Sequence, residues 1–153
     1  MLEKEEAIAQ KLTQKFPETA CKIIRQRRLT ATASREQLLQ VTAFLKNDLG
    51  FDSLCTITAL DSDENFEMIY HFANAGVVLN LKVTAPKSDP VYETVTGLYE
   101  GATLYELEAH NLLGLIVKDI PIGIKYPLPD DWPEGEYPLR KDWKKSANEK
   151  LGE

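Results

Sequence analysis

The chain has 153 residues, 43% of them hydrophobic, and a formal net charge of −6. That size and apolar share suit one domain around a single core, while the acidic balance and a pI near 5.0 exclude a protein built mainly to hold nucleic acid, because phosphate binding needs a concentrated basic face. Cys21 and Cys55 form no C-x-x-C pair, so this chain alone cannot build a four-thiolate iron–sulfur cluster or a closed zinc site, and no metal or other cofactor of its own is expected.

From the start of the chain, Ile8, Leu12 and Phe16 recur at four-residue spacing among Glu and Lys, which predicts an amphipathic helix over 3–16 stopped at Pro17. Residues 1–17 are charged rather than signal-like, and the longest apolar run, Leu112 to Val117, is too short to span a bilayer. The expectation is a soluble, cytoplasmic chain. Ala20 to Arg27 reads as a strand, and Leu29, Ala31 and Ala33 alternating with Thr30 and Thr32 as a second one. The basic cluster of Lys22, Arg25, Arg27 and Arg28 reads as the solvated face of the first. Ser34 with Gln37 makes a capping box, Leu38, Val41, Leu45 and Leu49 form an apolar stripe, and Gly50 supplies a left-handed stop, so a helix follows.

Three alternating runs come next, at 54–60, 66–72 and 77–83, separated by the turns 61–65 and Asn74-Ala75-Gly76. Cys55, inside the first run, reads as a small buried hydrophobe. Short connections make these an antiparallel meander with one face under helices, and the order helix, two strands, helix, three strands predicts a two-layer α+β sandwich. Residues 86–101 read as loop with at most a turn of helix. Ala102 to Leu113 is helical, with Leu104, Leu107 and Leu112 as its apolar contacts and Gly114 as its stop, and Leu115 to Lys118 is a last short strand.

Beyond it lies YPLPDDWPEGEYPLRKDW, Tyr126 to Trp143, where prolines, acids and aromatics alternate too closely for a helix or a central strand. The expected organisation is an α+β domain over 1–118, an extended proline-rich arm over 119–143 and a polar tail over 144–153. Tyr126, Trp132, Tyr137 and Trp143 are large amphipathic rings of the kind that anchor interfaces. Two readings follow: the arm wraps over its own domain, or it lies across a partner.

Stand-alone chemistry finds little support. Asp61, Asp63 and Asn65 copy the first ligand positions of a calcium loop, but Phe66 stands where the turn needs Gly and Phe72 where a bidentate Glu should close the site, so a plain hairpin turn is expected. Glu106 and Glu108 are two apart on a helix and diverge by roughly 200°, too far to share a substrate, though one of them can face a partner. His71 reads as an exposed or half-buried sheet histidine, and His110 has no nucleophile near it in sequence. No glycine-rich phosphate loop follows a strand. The chain reads as a fitted part rather than a catalyst.

ATLYELEAHNLLGL at 102–115 and LPDDWPEGEYPLRKDW at 128–143 resemble the 30 kDa subunit family of respiratory complex I, or NADH-quinone oxidoreductase, which also serves the energy-converting membrane-bound nickel–iron hydrogenases. Members show A-N-W-x-E-R-E-x-x-D-x-x-G-I and later a Pro-Leu/Phe-Arg-Lys-Asp arm. Ala102, Glu106, Glu108 and Gly114 match the first, and Pro138, Leu139, Arg140, Lys141 and Asp142 the second. SREQLLQVTAFLKNDLGFDSLCTITALD is similar to the family's helix and first meander strand. The chain departs at Leu104, Leu107 and Asn111, where the family has Trp, Arg and Asp, and at DIPIGIK over 119–125, where it has a His-Pro-Asp segment. Those departures point to a divergent branch, hydrogenase-type or otherwise simplified. The resemblance implies a cofactor-free, non-catalytic subunit of a membrane-associated electron-transfer complex, held at the inner face of the cell membrane through its neighbours and not inserted in it. Its implied partners are the large catalytic subunit and iron–sulfur subunits, met through Glu106, Glu108, Trp132, Tyr137, Pro138, Leu139, Arg140, Lys141 and Asp142. The alternative is a stand-alone small-ligand or regulatory binding domain whose arm closes over a pocket, with a small hydrolase as a remote third.

Overall fold

The computed structural model describes residues 2–144. Three helices and one five-stranded sheet make the predicted α+β sandwich: α1 (Glu3–Lys15), β1 (Ala20–Arg25), β2 (Arg28–Ala33), α2 (Leu38–Asn47), β3 (Ser53–Ser62), β4 (Asn65–Asn74), β5 (Val77–Pro86), β6 (Val91–Tyr92), α3 (Ala102–Leu113) and β7 (Ile116–Val117). Strand order is β1-β2-β5-β4-β3. The meander pairs antiparallel throughout, and β5 runs parallel to β2, with Leu29 opposite Leu79 and Ala31 opposite Leu81.

Strict alternation along β4 and β5 sends Phe66, Met68, Tyr70 and Phe72, and Leu79, Leu81, Val83 and Ala85, to one face, where each is fully buried. Leu38, Val41 and Leu45 of α2 and Ile8, Leu12 and Phe16 of α1 join them in a single core. The Phe16 and Phe44 rings meet edge to face at 5.6 Å, tying α1 to α2. The Ser34 capping box is not the start of α2: the helix begins at Leu38 with Gln37 at its N-cap and no side-chain cap, although the Gln37 N–H donates to Ser34 Oγ at 3.3 Å and the Gln37 amide reaches Glu18. Gly50, at φ 70°, closes α2 in the expected left-handed turn, and the Phe51 N–H returns to the Leu45 carbonyl at 2.9 Å.

The structure corrects four further expectations. β3 and β4 run further than predicted at both ends and β5 at its C-terminal end, and the two hairpins close on tight turns at Asp63 and at Ala75-Gly76, all with positive φ. Cys55 is exposed. Between Leu54 and Thr56 the register to β4 slips, so Cys55 is the extra residue of a bulge and the inward parity switches from Leu54 to Ile57 and Ala59. Leu104 is 52% exposed, since the inward stripe of α3 is Ala102, Glu106, Ala109 and Leu113 with Leu107 beside it. In the segment read as loop, β6 pairs parallel with β7, matching Val91 to Ile116.

Leu45 has no exposed surface and carries the α2 stripe into the core. Leu45→Ala is therefore expected to destabilise the protein by about 2–5 kcal/mol in urea unfolding. A loss under about 0.5 kcal/mol, the range of surface changes, would contradict the packing.

Candidate interaction surface

An α-helix leaves its last carbonyls without intrahelical donors. At the end of α3 the arm supplies them: the Leu139 N–H donates to the Leu112 carbonyl at 3.0 Å and Arg140 Nε–H to the Leu113 carbonyl at 2.6 Å. The guanidinium lies 4.5 Å from the centre of the Tyr137 ring and 5.2 Å from that of Phe66, and its charge sits at the negative end of the helix. Gly114 makes room. A Cβ there would come within 2.6 Å of Arg140 Nη2 and 2.7 Å of the Tyr137 ring, and its φ of 74° would strain any side chain.

A second tie lies one residue on. Asp61, at the tip of the β3–β4 hairpin, accepts from Lys87 Nζ at 2.6 Å and from the backbone N–H groups of Asp63 and Lys141, both at 3.1 Å. Burial pushes its carboxyl up, but the Lys87 ion pair and those two donors outweigh it and hold the group below its ordinary value. Lys141 Nζ reaches Asp63 at 2.7 Å. The two acids that imitate a calcium loop are therefore matched to lysines.

Glu106 faces inward. It is fully buried, and its carboxylate accepts from the Thr94 hydroxyl at 2.6 Å and the Val95 N–H at 2.8 Å, fastening the 94–96 loop to α3. Burial raises its pKa, and these two donors offset that only in part. Its place among the partner-facing residues is thus corrected: no atom of Glu106 reaches the surface. Glu108, on the other side of α3, is exposed and borders a shallow cleft with Leu139, itself 56% exposed.

Asn111, one of the departures from the family pattern, organises the start of the arm. Its amide Nδ2 lies 2.9 Å from each of the Leu107, Ile124 and Tyr126 carbonyls. A carboxylate there would set negative charge against three acceptors. Further on, the Trp132 and Trp143 rings stack at 6.1 Å and both indole N–H groups donate to Glu136. Of the arm residues named from the sequence, Trp132, Tyr137, Pro138 and Arg140 are half-buried, while Leu139, Lys141 and Asp142 are exposed. Arg140 and Tyr137 are held against their own domain. The sequence signal for this is the helix end itself, since carbonyls before Gly114 demand donors from elsewhere.

Among the described residues, no three His, Cys, Asp or Glu side chains cluster as a metal ion would require, and no helix is long and apolar enough to cross a membrane. His71 bridges the Thr58 hydroxyl and the Asn80 side chain on the outer face of the sheet at 2.9 and 2.8 Å.

The family model described as respiratory-chain NADH dehydrogenase, 30 Kd subunit, matches residues 31–149. A subunit of the F(420)H(2) dehydrogenase of Methanosarcina mazei is 36% identical over 147 residues, 92% of each chain. A subunit of the NADH-quinone oxidoreductase of Citrifermentans bemidjiense is 31% identical over 120 residues, 75% of this chain and 73% of that one. A chain in the structure of the membrane-bound sulfane sulfur reductase, an archaeal respiratory membrane complex, superposes with a TM-score of 0.82 at 27% identity, covering 94% of this chain and 88% of that one.

The buried carboxyl of Glu106 yields a pH test. Because its folded pKa lies above the ordinary 4.5, its contribution to stability is full below that value and is lost as pH rises through the raised pKa. Glu106→Gln keeps a carbonyl acceptor for Val95 and does not titrate, so the wild type should lose stability relative to it as the pH rises above 4.5 in urea unfolding. Glu106→Leu leaves the Val95 N–H unpaired and should cost about 1–3 kcal/mol. Parallel pH profiles for wild type and Gln variant would contradict the burial of an ionisable group there.

Proposed function

The chain belongs to the respiratory-chain NADH dehydrogenase 30 kDa subunit family, and from that premise we propose that it is a cofactor-free, non-catalytic subunit of a membrane-associated electron-transfer complex, of NADH-quinone oxidoreductase, F(420)H(2) dehydrogenase or energy-converting hydrogenase type. Its task is to dock on the large catalytic subunit, with iron–sulfur subunits nearby, at the inner face of the membrane. The observation that carries this reading is the arm. Residues 119–143 are tied to the domain by Asn111 at one end and by the Arg140 and Asp61 contacts at the other, while much of the intervening surface is exposed. A segment already held in place, here as a series of turns, loses little entropy on docking, which favours use as a binding surface.

Within that surface Glu108, Trp132, Pro138, Leu139, Lys141 and Asp142 are the proposed contacts. Arg140 and Tyr137 serve indirectly, by setting where Leu139 and Lys141 stand.

The test is purification of the chain, tagged at its N-terminus, from detergent-solubilised membranes of its own organism. The expected result is stoichiometric recovery with a hydrogenase-like or quinone-site large subunit and iron–sulfur subunits, while the chain expressed alone carries no iron, nickel, flavin or nicotinamide. Elution as a lone chain, or stoichiometric metal or flavin in the isolated protein, would overturn the reading.

A further inference from the structure

Ile122 is 98% exposed, the most exposed of the large apolar side chains among the described residues, with Ile124 at 47% and Tyr126 at 42% beside it in sequence. Single surface apolar groups are ordinary in a monomer. This loop differs in being held: Asn111 binds the Ile124 and Tyr126 carbonyls, Lys125 Nζ donates to the Asp130 and Trp132 carbonyls at 3.0 and 2.8 Å, and Ile120 packs against the core. Gly123, at φ 83°, sets the turn that brings Ile122 outward. Beside it an open groove of about 360 Å³, floored by His110 and Asn111, runs between this loop and residues 133–137.

The charge around the loop is one-sided. Between 119 and 136 stand Asp119, Asp130, Asp131, Glu134 and Glu136 against Lys125 alone, whose ammonium already serves two carbonyls. None of those five carboxylates enters an ion pair among the described residues. A fixed apolar side chain on a segment that carries five acids and one lysine, with Glu134 and Glu136 lining the groove beside it, is complementary to an apolar pocket rimmed by cations.

We propose that the 119–126 loop is a docking knob, with Ile122 entering an apolar pocket rimmed by lysine or arginine on a neighbouring subunit of the complex. The inference rests on the reading of the chain as such a subunit. It adds a contact centred on Ile122, which is not among the arm contacts proposed above.

The experiment is the same tagged purification from membranes, run with Ile122→Glu, Ile122→Leu and the double variant Asp130→Lys/Asp131→Lys. Ile122→Glu should lower recovery of the partner subunits about ten-fold or more, as expected for a central apolar anchor, while Ile122→Leu stays close to wild type. Reversing the two acids should lower recovery as well, through the rim rather than the anchor. Thermal melts of the isolated variants should match the wild type, because the side chain makes no contact to lose. Full recovery with Ile122→Glu, or equal loss with Ile122→Leu, overturns the knob and leaves the subunit reading standing. A wild-type chain that recovers no partner overturns the subunit reading and the knob with it.

Discussion

The structure turns on the C-terminal end of α3. A helix that stops at a left-handed glycine on the flank of the sheet must find donors for carbonyls that face protein rather than water. Here a single residue 27 positions downstream of Leu113 provides one, because Arg140 joins a directed N–H, a flat cation and a surface for aromatic contact in one side chain. Lysine would supply the charge without the fork or the stacking. Gly114 is the other half of the device, since the space a Cβ would take is filled by Arg140 and Tyr137. From this pair follows the course of the arm: once Arg140 is seated, Lys141 meets Asp61 and Asp63 at the hairpin tip.

Of the two alternatives that its sequence leaves open, the arm takes the first, and the proposed docking would use the surface that this leaves exposed. It wraps over its own domain through Tyr137, Arg140 and Lys141, and the same anchorage gives Ile122, Leu139 and Asp142 fixed positions at the surface. Fixing a surface before association lowers the entropy that association must overcome, which is why an intramolecular clasp and a docking role support one another. Asn111 holds the other end of the arm, at a point where three carbonyls converge and a carboxylate would find no donor among them.

Much of the fold is legible because alternation in β4 and β5 is strict and the turns between strands carry their usual residues. Leu38, Val41 and Leu45 declare α2 in the same way. What the sequence hides has non-local causes. The bulge at Cys55 depends on how β3 meets β4, and no local residue announces it. The inward stripe of α3 is masked by Glu106, a carboxylate that burial disfavours unless donors are brought to it, and those donors come from a loop eleven and twelve residues earlier. The PLRKD segment is recognisable, yet its direction is not: aromatic and cationic residues in an extended chain suggest a partner, and only the helix end reveals that Arg140 has one at home.

All of this requires that the arm stand fixed on the domain without help from another subunit, and residue-resolved amide hydrogen exchange on the isolated chain decides whether it does. The amides of Leu139 and Lys141, bonded to the Leu112 carbonyl and the Asp61 carboxylate, are expected to exchange far more slowly than in an unstructured peptide. Exchange of both at unstructured rates, with the β4 amides still protected, would show that the arm is free until a partner holds it and would contradict the clasp described above.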